Sequence, residues 1–243
     1  MTRRNNASEQ LASVTSGALA ATTSRRGFLR AAGVGGAVLG LPSVLASCSD
    51  TTMAPRTTVS GAATIDLTTD IGVLNYAYAL EQLEANFYAT AFNNPASDYT
   101  PEQVLALGAI NCHEIVHRAF LLAVLGDNAI PNLTFDFSSA VDFGSASSVL
   151  ALAKTLEDTG VGAYNGAGQL LTNPDFLVLA GKIVSVEARH AATIRLLIDP
   201  KSASFGGDDV VDGNGLDQAL DPSTVLDAVK PFIVDFNSIT VVA

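Results

Sequence analysis

Two of the chain's three histidines close a Glu-x-x-His: Glu114-Ile115-Val116-His117 and Glu187-Ala188-Arg189-His190. On a helix, a spacing of three brings both side chains to one face, where a carboxylate oxygen and an imidazole nitrogen can reach the same ion. Glutamate is otherwise scarce. Aspartate outnumbers it 17 to 7, yet five of the seven (Glu81, Glu84, Glu114, Glu157, Glu187) fall on apolar helical stripes. A carboxylate turned into a core costs on the order of several kcal/mol unless a cation or a donor meets it. Few Arg or Lys lie near enough in sequence to neutralise these acids, so a metal ion is the expected partner. His113 has no such glutamate and reads as a solvated or capping histidine. Arg118 and Arg189 read either as neutralisers of the carboxylates or as surface ion pairs.

Four helices are predicted to carry these residues. Helix one runs from Asp70 to Phe92, with Leu74, Ala77, Tyr78, Glu81, Glu84, Ala85, Tyr88 and Ala91 on one stripe, and Asn93-Asn94-Pro95 ends it. Helix two opens with Thr100 as N-cap, Pro101 in the first turn and Gln103 completing a capping box, and stops before Gly126. Its inward stripe takes Val104, Leu107, Ile110, Glu114, His117, Leu121 and Val124. Helix three spans Ala146 to Leu171 and contains Gly160, Gly162, Gly166 and Gly168. Each glycine costs about 1 kcal/mol relative to Ala in a helix, and close approach of a neighbour is the expected compensation. Helix four runs from Asn173-Pro174-Asp175 to Ile198, before Asp199-Pro200.

Glu81 and Glu157 sit about eleven residues into helices one and three, and Glu114 and Glu187 about thirteen into helices two and four. All four therefore meet at one level of an equal-length bundle. The intervals Glu81–Tyr88 and Glu157–Tyr164 are both seven, so helices one and two repeat as helices three and four. Short turns make each pair antiparallel. The link from Asp127 to Gly144 can reach about 60 Å when extended, more than the roughly 36 Å of a 24-residue helix, and allows a long crossover. One Glu from each of two helices and Glu-x-x-His from each of the other two make a dinuclear carboxylate set.

The stretches Asn75-Tyr76-Ala77, Leu83-Glu84-Ala85-Asn86-Phe87-Tyr88, Glu157 to Tyr164-Asn165-Gly166-Ala167 and Val186-Glu187-Ala188-Arg189-His190-Ala191-Ala192 resemble a ferritin-like domain family. That family includes secreted bacterial proteins and fungal stress- or desiccation-related proteins. The resemblance runs from Ile65 to Leu197 and extends to Asp221–Phe232. It implies an all-α ferritin-like four-helix bundle, with a long crossover between helices two and three and an irregular C-terminal extension. It also implies two iron or manganese ions held by Glu81, Glu114, His117, Glu157, Glu187 and His190. The Glu-to-Tyr spacing of seven seen in ferritins and rubrerythrins selects Glu81 on helix one, with Glu84 as an additional ligand or an acceptor behind it. Tyr88 and Tyr164 are either core tyrosines or partners of the ligands. An oxidoreductase acting on O2 or peroxide in envelope stress protection is one expected function. A structural or stress-protective surface protein with an idle site is the other. Iron storage suits neither a tether nor a long extension.

The N-terminus reads as an address. Ser24-Arg25-Arg26-Gly27-Phe28-Leu29-Arg30 resembles a twin-arginine export signal, and Leu45-Ala46-Ser47-Cys48 resembles a lipobox whose cysteine carries lipid. The expected layout is a signal peptide over 1–47, a Ser/Thr/Ala-rich tether over 48–64, the bundle over 65–200 and an extension over 201–243 packed on it. Cys112 then stands alone as a small buried hydrophobe. The formal net charge is −11, and removing the leader leaves 8 basic against 23 acidic residues, a net −15. So acidic a surface disfavours nucleic acid. The expected partners are metal ions and, through Cys48, a membrane in the periplasm or at the cell surface, with a homodimer left open.

Overall fold

The computed structural model describes residues 63–234, 236 and 239–243. The expected leader, Cys48 and most of the tether lie outside these residues. Helix α1 (Asp70–Asn93) starts where Thr69 Oγ1 accepts the Gly72 amide at 3.1 Å. A side chain at position 72 would meet the Asp66 carbonyl oxygen at 1.7 Å, so only glycine fits there. Helix α2 (Pro101–Leu125) has the full capping box: Gln103 N–H donates to Thr100 Oγ1 at 3.2 Å, and Thr100 N–H donates to Gln103 Oε1 at 2.9 Å. It ends at Gly126, whose φ of +55° favours glycine. Helix α3 (Ala146–Gly168) is capped by Ser145, and helix α4 (Pro174–Ile198) by Asn173 with Pro174 in its first turn.

Helix α1 packs mainly on α2 and α3 mainly on α4, with further contacts between α1 and α3 and between α2 and α4. Helix three ends at Gly168, three residues before its predicted end at Leu171. The chain turns there because the Asp70 carboxylate accepts the amides of Thr172 and Asn173 at 2.7 and 3.1 Å, holding the α3–α4 turn to the start of α1. Val104, predicted to face inward, is 42% exposed, so the α2 stripe begins at Leu107.

The crossover lies along the side of α1 away from the ligands, and α1 is accordingly buried nearly all round. Asn75 and Gln82, two turns apart, bond its backbone. Asn75 Nδ2 donates to the Asn128 carbonyl at 2.9 Å, Asn75 Oδ1 accepts the Ile130 amide at 2.8 Å, and Gln82 Oε1 accepts the Leu133 amide at 2.8 Å. Further along, Phe137 packs among Phe87, Phe135, Phe143 and Phe232.

The C-terminal segment explains the glycines of α3. A side chain at position 166 would lie 1.8 Å from the Leu220 carbonyl oxygen, and one at 162 would lie 2.7 Å from Leu220 side-chain atoms. Leu220 N–H donates to the Gly162 carbonyl at 2.9 Å. The expected close approach is real at Gly162 and Gly166, and the neighbour is the extension rather than another bundle helix. At Gly160 the close neighbour is Glu84, and Gly168 meets only an ordinary contact. Asp221 caps helix α5 (Pro222–Val229), which buries Val225, Leu226 and Val229. Strand β2 (Ile239–Val242) then pairs in parallel with β1 (Ala63–Asp66), in the register Ala63↔Ile239 to Asp66↔Val242. Ala63 and Thr64, read as tether, are thus strand.

Candidate metal centre

Glu81 on α1, Glu114 on α2, Glu157 on α3 and Glu187 on α4 are each 0% exposed. His117 follows Glu114, and His190 follows Glu187, by one turn. The two histidines take corresponding places. His117 Nδ1 lies 3.5 Å from Glu81 Oε2, 3.5 Å from Glu114 Oε2 and 2.8 Å from Glu187 Oε1. His190 Nδ1 lies 3.6 Å from Glu157 Oε2, 2.8 Å from Glu114 Oε1 and 2.9 Å from Glu187 Oε2. Glu114 and Glu187 thus give one oxygen to each half, while Glu81 and Glu157 each belong to one half. Two groups of ligand atoms result, Glu81–Glu114–His117–Glu187 and Glu114–Glu157–His190, each with its atoms within 4.8 Å of one another.

These atoms converge on common points more than on each other. Glu81 Oε2, both oxygens of Glu114, Glu157 Oε2, Glu187 Oε1 and His117 Nδ1 are buried and make no hydrogen bond of good geometry. That holds although His117 Nδ1 and Glu187 Oε1 are only 2.8 Å apart. Buried polar atoms without partners are costly, and a cation at each convergence point would satisfy them together. Hard carboxylate oxygens mixed with imidazole suit iron or manganese.

In the absence of a cation the charges are balanced by protons. Burial would lower the His117 imidazole, but the facing carboxylates of Glu114, Glu187 and Glu81 outweigh it and push it up to about 12. His190 is likewise pushed up to about 12, by Glu114, Glu157 and Glu187 against burial. Burial would raise Glu114, yet His117 and His190 hold it at about 2. Glu157 is raised to about 8 by burial and by the Glu114 charge, against the pull of His190. Glu81 is raised well above the usual range by burial and by Glu187.

The two tyrosines are buried partners of the carboxylates, and they cross over. Tyr88 on α1 donates to Glu157 Oε1 on α3, and Tyr164 on α3 donates to Glu81 Oε1 on α1, both at 2.5 Å. Each phenol occupies one oxygen of a glutamate and leaves the other turned to the centre. Glu84 is buried but falls outside both ligand groups. Its Oε1 lies 2.9 Å from where a Cβ on Gly160 would be. Gly160 is the α3 position equivalent to Glu84, so the carboxyl occupies the room its counterpart leaves vacant. Burial and then Glu114 raise it well above the carboxylate range.

His113 corrects the sequence reading. Although exposed, its Nδ1 lies 2.8 Å from His190 Nε2, and the two rings sit edge to edge with centroids 5.1 Å apart. The signal was its place one turn before His117, on the same face. Arg189 is exposed and Arg118 half-buried, and the central carboxylates lie against His117 and His190. Cys112, read as a lone buried hydrophobe, is half-buried.

Bundle, crossover and paired Glu-x-x-His converge on one assignment, and a family model described as ferritin-like domain matches residues 69–200. The chain belongs to the ferritin-like domain family. No curated protein matches it. Within this ferritin-like domain, the matched span takes in all four helices and every residue of the carboxylate–histidine cluster.

Proposed function

We propose that the protein is an exported, lipid-anchored oxidoreductase with a dinuclear iron or manganese centre, acting on O2 or peroxide in protection of the cell envelope. The observation that carries this reading is the sharing of Glu114 and Glu187 between the two halves, one oxygen toward each histidine. When bound, two such ions supply four positive charges and reversible one-electron chemistry at adjacent positions. The chain's own residues hold the ligands in place. Tyr88 and Tyr164 fix the rotamers of Glu157 and Glu81, and His113 anchors the outer nitrogen of His190. Complete burial of the four carboxylates excludes water. The export signal and Cys48 anchor rest on the sequence motifs alone.

Metal analysis of protein from its native host, paired with melting curves, tests the centre. Iron or manganese should raise the melting temperature above that measured with chelator, and Glu114→Ala should remove most of the difference. Equal melting with chelator and with added metal would return the protein to the structural, stress-protective class.

A further inference from the structure

A small apolar cavity adjoins the carboxylate layer, toward the end of the bundle where α1 and α4 begin and α2 and α3 finish. Its inner wall is one helical turn from the ligands on three helices. Ala77 precedes Glu81, Leu121 follows His117, and Ile183 precedes Glu187, each by about 6 Å of rise. On the fourth helix the wall is Tyr164, whose hydroxyl donates to Glu81. The outer rim consists of Phe120, which is 38% exposed, with half-buried Val124, Leu179 and Ala180. The cavity therefore runs from a partly open rim to a phenol bonded directly to a ligand.

The cavity volume is about 20 Å³, room for one water-sized molecule or little more. Its walls are aliphatic and aromatic, with only the phenols of Tyr76 and Tyr164 as polar side-chain groups, and of these only the buried Tyr76 hydroxyl, which has no hydrogen-bond partner, is left to meet an occupant. A water needs two to four polar partners to stay in such a place, and a void of this chemistry remains dry. Tyr164 already gives its hydrogen to Glu81. Hydrogen peroxide, with two donors and four lone pairs, would leave nearly all of them unmet. Dioxygen has the right size, needs no hydrogen bond, and partitions from water into apolar surroundings.

We propose that this cavity is a dioxygen-binding site, and that O2 rather than peroxide is the small molecule the protein admits to its centre. The proposal deepens the dinuclear reading and rests on it for its meaning. The site itself belongs to the cavity walls and exists with or without metal.

The test uses the whole mature chain, methyl-labelled and metal-free, with dissolved dioxygen as a paramagnetic probe. The methyl groups of Leu80, Leu121 and Ile183 should relax several-fold faster per unit O2 than equally buried methyls elsewhere, such as those of Ile130, Leu150 and Leu226. Ala77→Leu fills the inner end, and Ala180→Leu fills the half-exposed rim, where a larger residue threatens folding less. Either should remove the excess. Uniform enhancement across buried methyls would overturn the proposal, as would an excess that survives in a folded variant of either kind. Metal analysis separates the two readings. Localised dioxygen without metal binding would remove the oxidoreductase reading and leave the cavity site standing, and metal binding with uniform relaxation would do the reverse.

Discussion

His117 and His190 occupy matching positions in the two helix pairs, but only His190 has a second imidazole behind it. With its Nδ1 turned to the carboxylates, His190 carries hydrogen on Nε2 and donates it to His113. The α4 position equivalent to His113 is Val186, which offers no partner. The two halves should therefore differ in affinity. His113→Ala should weaken one of two metal-binding steps by roughly 10–100-fold, the usual cost of losing an outer hydrogen bond to a ligating histidine. The other step should be unchanged, and His113→Gln should recover part of the loss. Competition titration against a chelator reads both steps, and equal weakening of the two would contradict the asymmetry. The same residues set a pH dependence. Without metal, folded Glu157 keeps its proton to about pH 8 where the unfolded group releases it near 4.5, and Glu81 and Glu84 shift in the same direction. His117 and His190 keep theirs to about 12 rather than 6.5. Their stabilisation is complete below about 6.5 and is lost as pH rises toward 12. Glu114 works oppositely, but its contribution is lost only as pH falls from 4.5 toward 2. Between about pH 5 and 8 the folded state thus binds more protons than the unfolded state, and stability should fall as pH rises. Melting in chelator across that range checks the sign. The gain on adding metal should grow with pH, because metal binding expels those protons.

At the scale of elements, the glycines of α3 decide between two opposed expectations. Replacing Gly166 by Ala should stabilise a free helix by about 1 kcal/mol. In the folded protein the new methyl would enter the Leu220 carbonyl, so Gly166→Ala should instead destabilise, by roughly 1–3 kcal/mol. Proteolysis after residue 200 should quicken, and a higher denaturation midpoint would refute the crossing. The helices themselves were legible because their ends are written in capping residues: Thr100, Pro101 and Gln103 for α2, Asn173 and Pro174 for α4. The buried glutamates were legible because a glutamate at core spacing is too costly to bury unless a cation or a donor meets it. What escaped was set by neighbours distant in sequence. Nothing local marks Leu220 as the residue over Gly162 and Gly166, or Asn75 and Gln82 as the hold on the crossover. The role of His113 was hidden because its partner lies on another helix, 77 positions away. The exchange of Tyr88 and Tyr164 between the two halves likewise follows from packing, since spacing within one helix pairs each with its own glutamate.

At the scale of the molecule, the extension is tied down at several points. Arg195, buried near the end of α4, takes the Asp158 carboxylate in a two-point contact at 3.1 and 2.7 Å and also bonds Asp209, which Lys154 reaches at 2.9 Å. No helix among the described residues is long and apolar enough to cross a membrane. Converting both Arg25 and Arg26 to Lys should leave unprocessed precursor inside the cell, and Cys48→Ala should release soluble protein on fractionation. Unchanged membrane association in both variants would refute the anchor. Intact mass adds a sharper criterion, because the mature chain should carry the added mass of a lipid at Cys48.

The pairing of β1 with β2 joins residues 63–66 to 239–242, almost the full length of the described chain apart. Such a contact closes the largest loop in the fold and is among the last that a folding chain can form. During synthesis the four helices can assemble before residues 239–242 are made, and until those residues emerge the strand in front of α1 has no ladder partner. A chain cut before residue 239 therefore leaves this ladder open. The two short strands thus fasten the entry of the first helix from the far side of the fold, and that fastening is the step left for last.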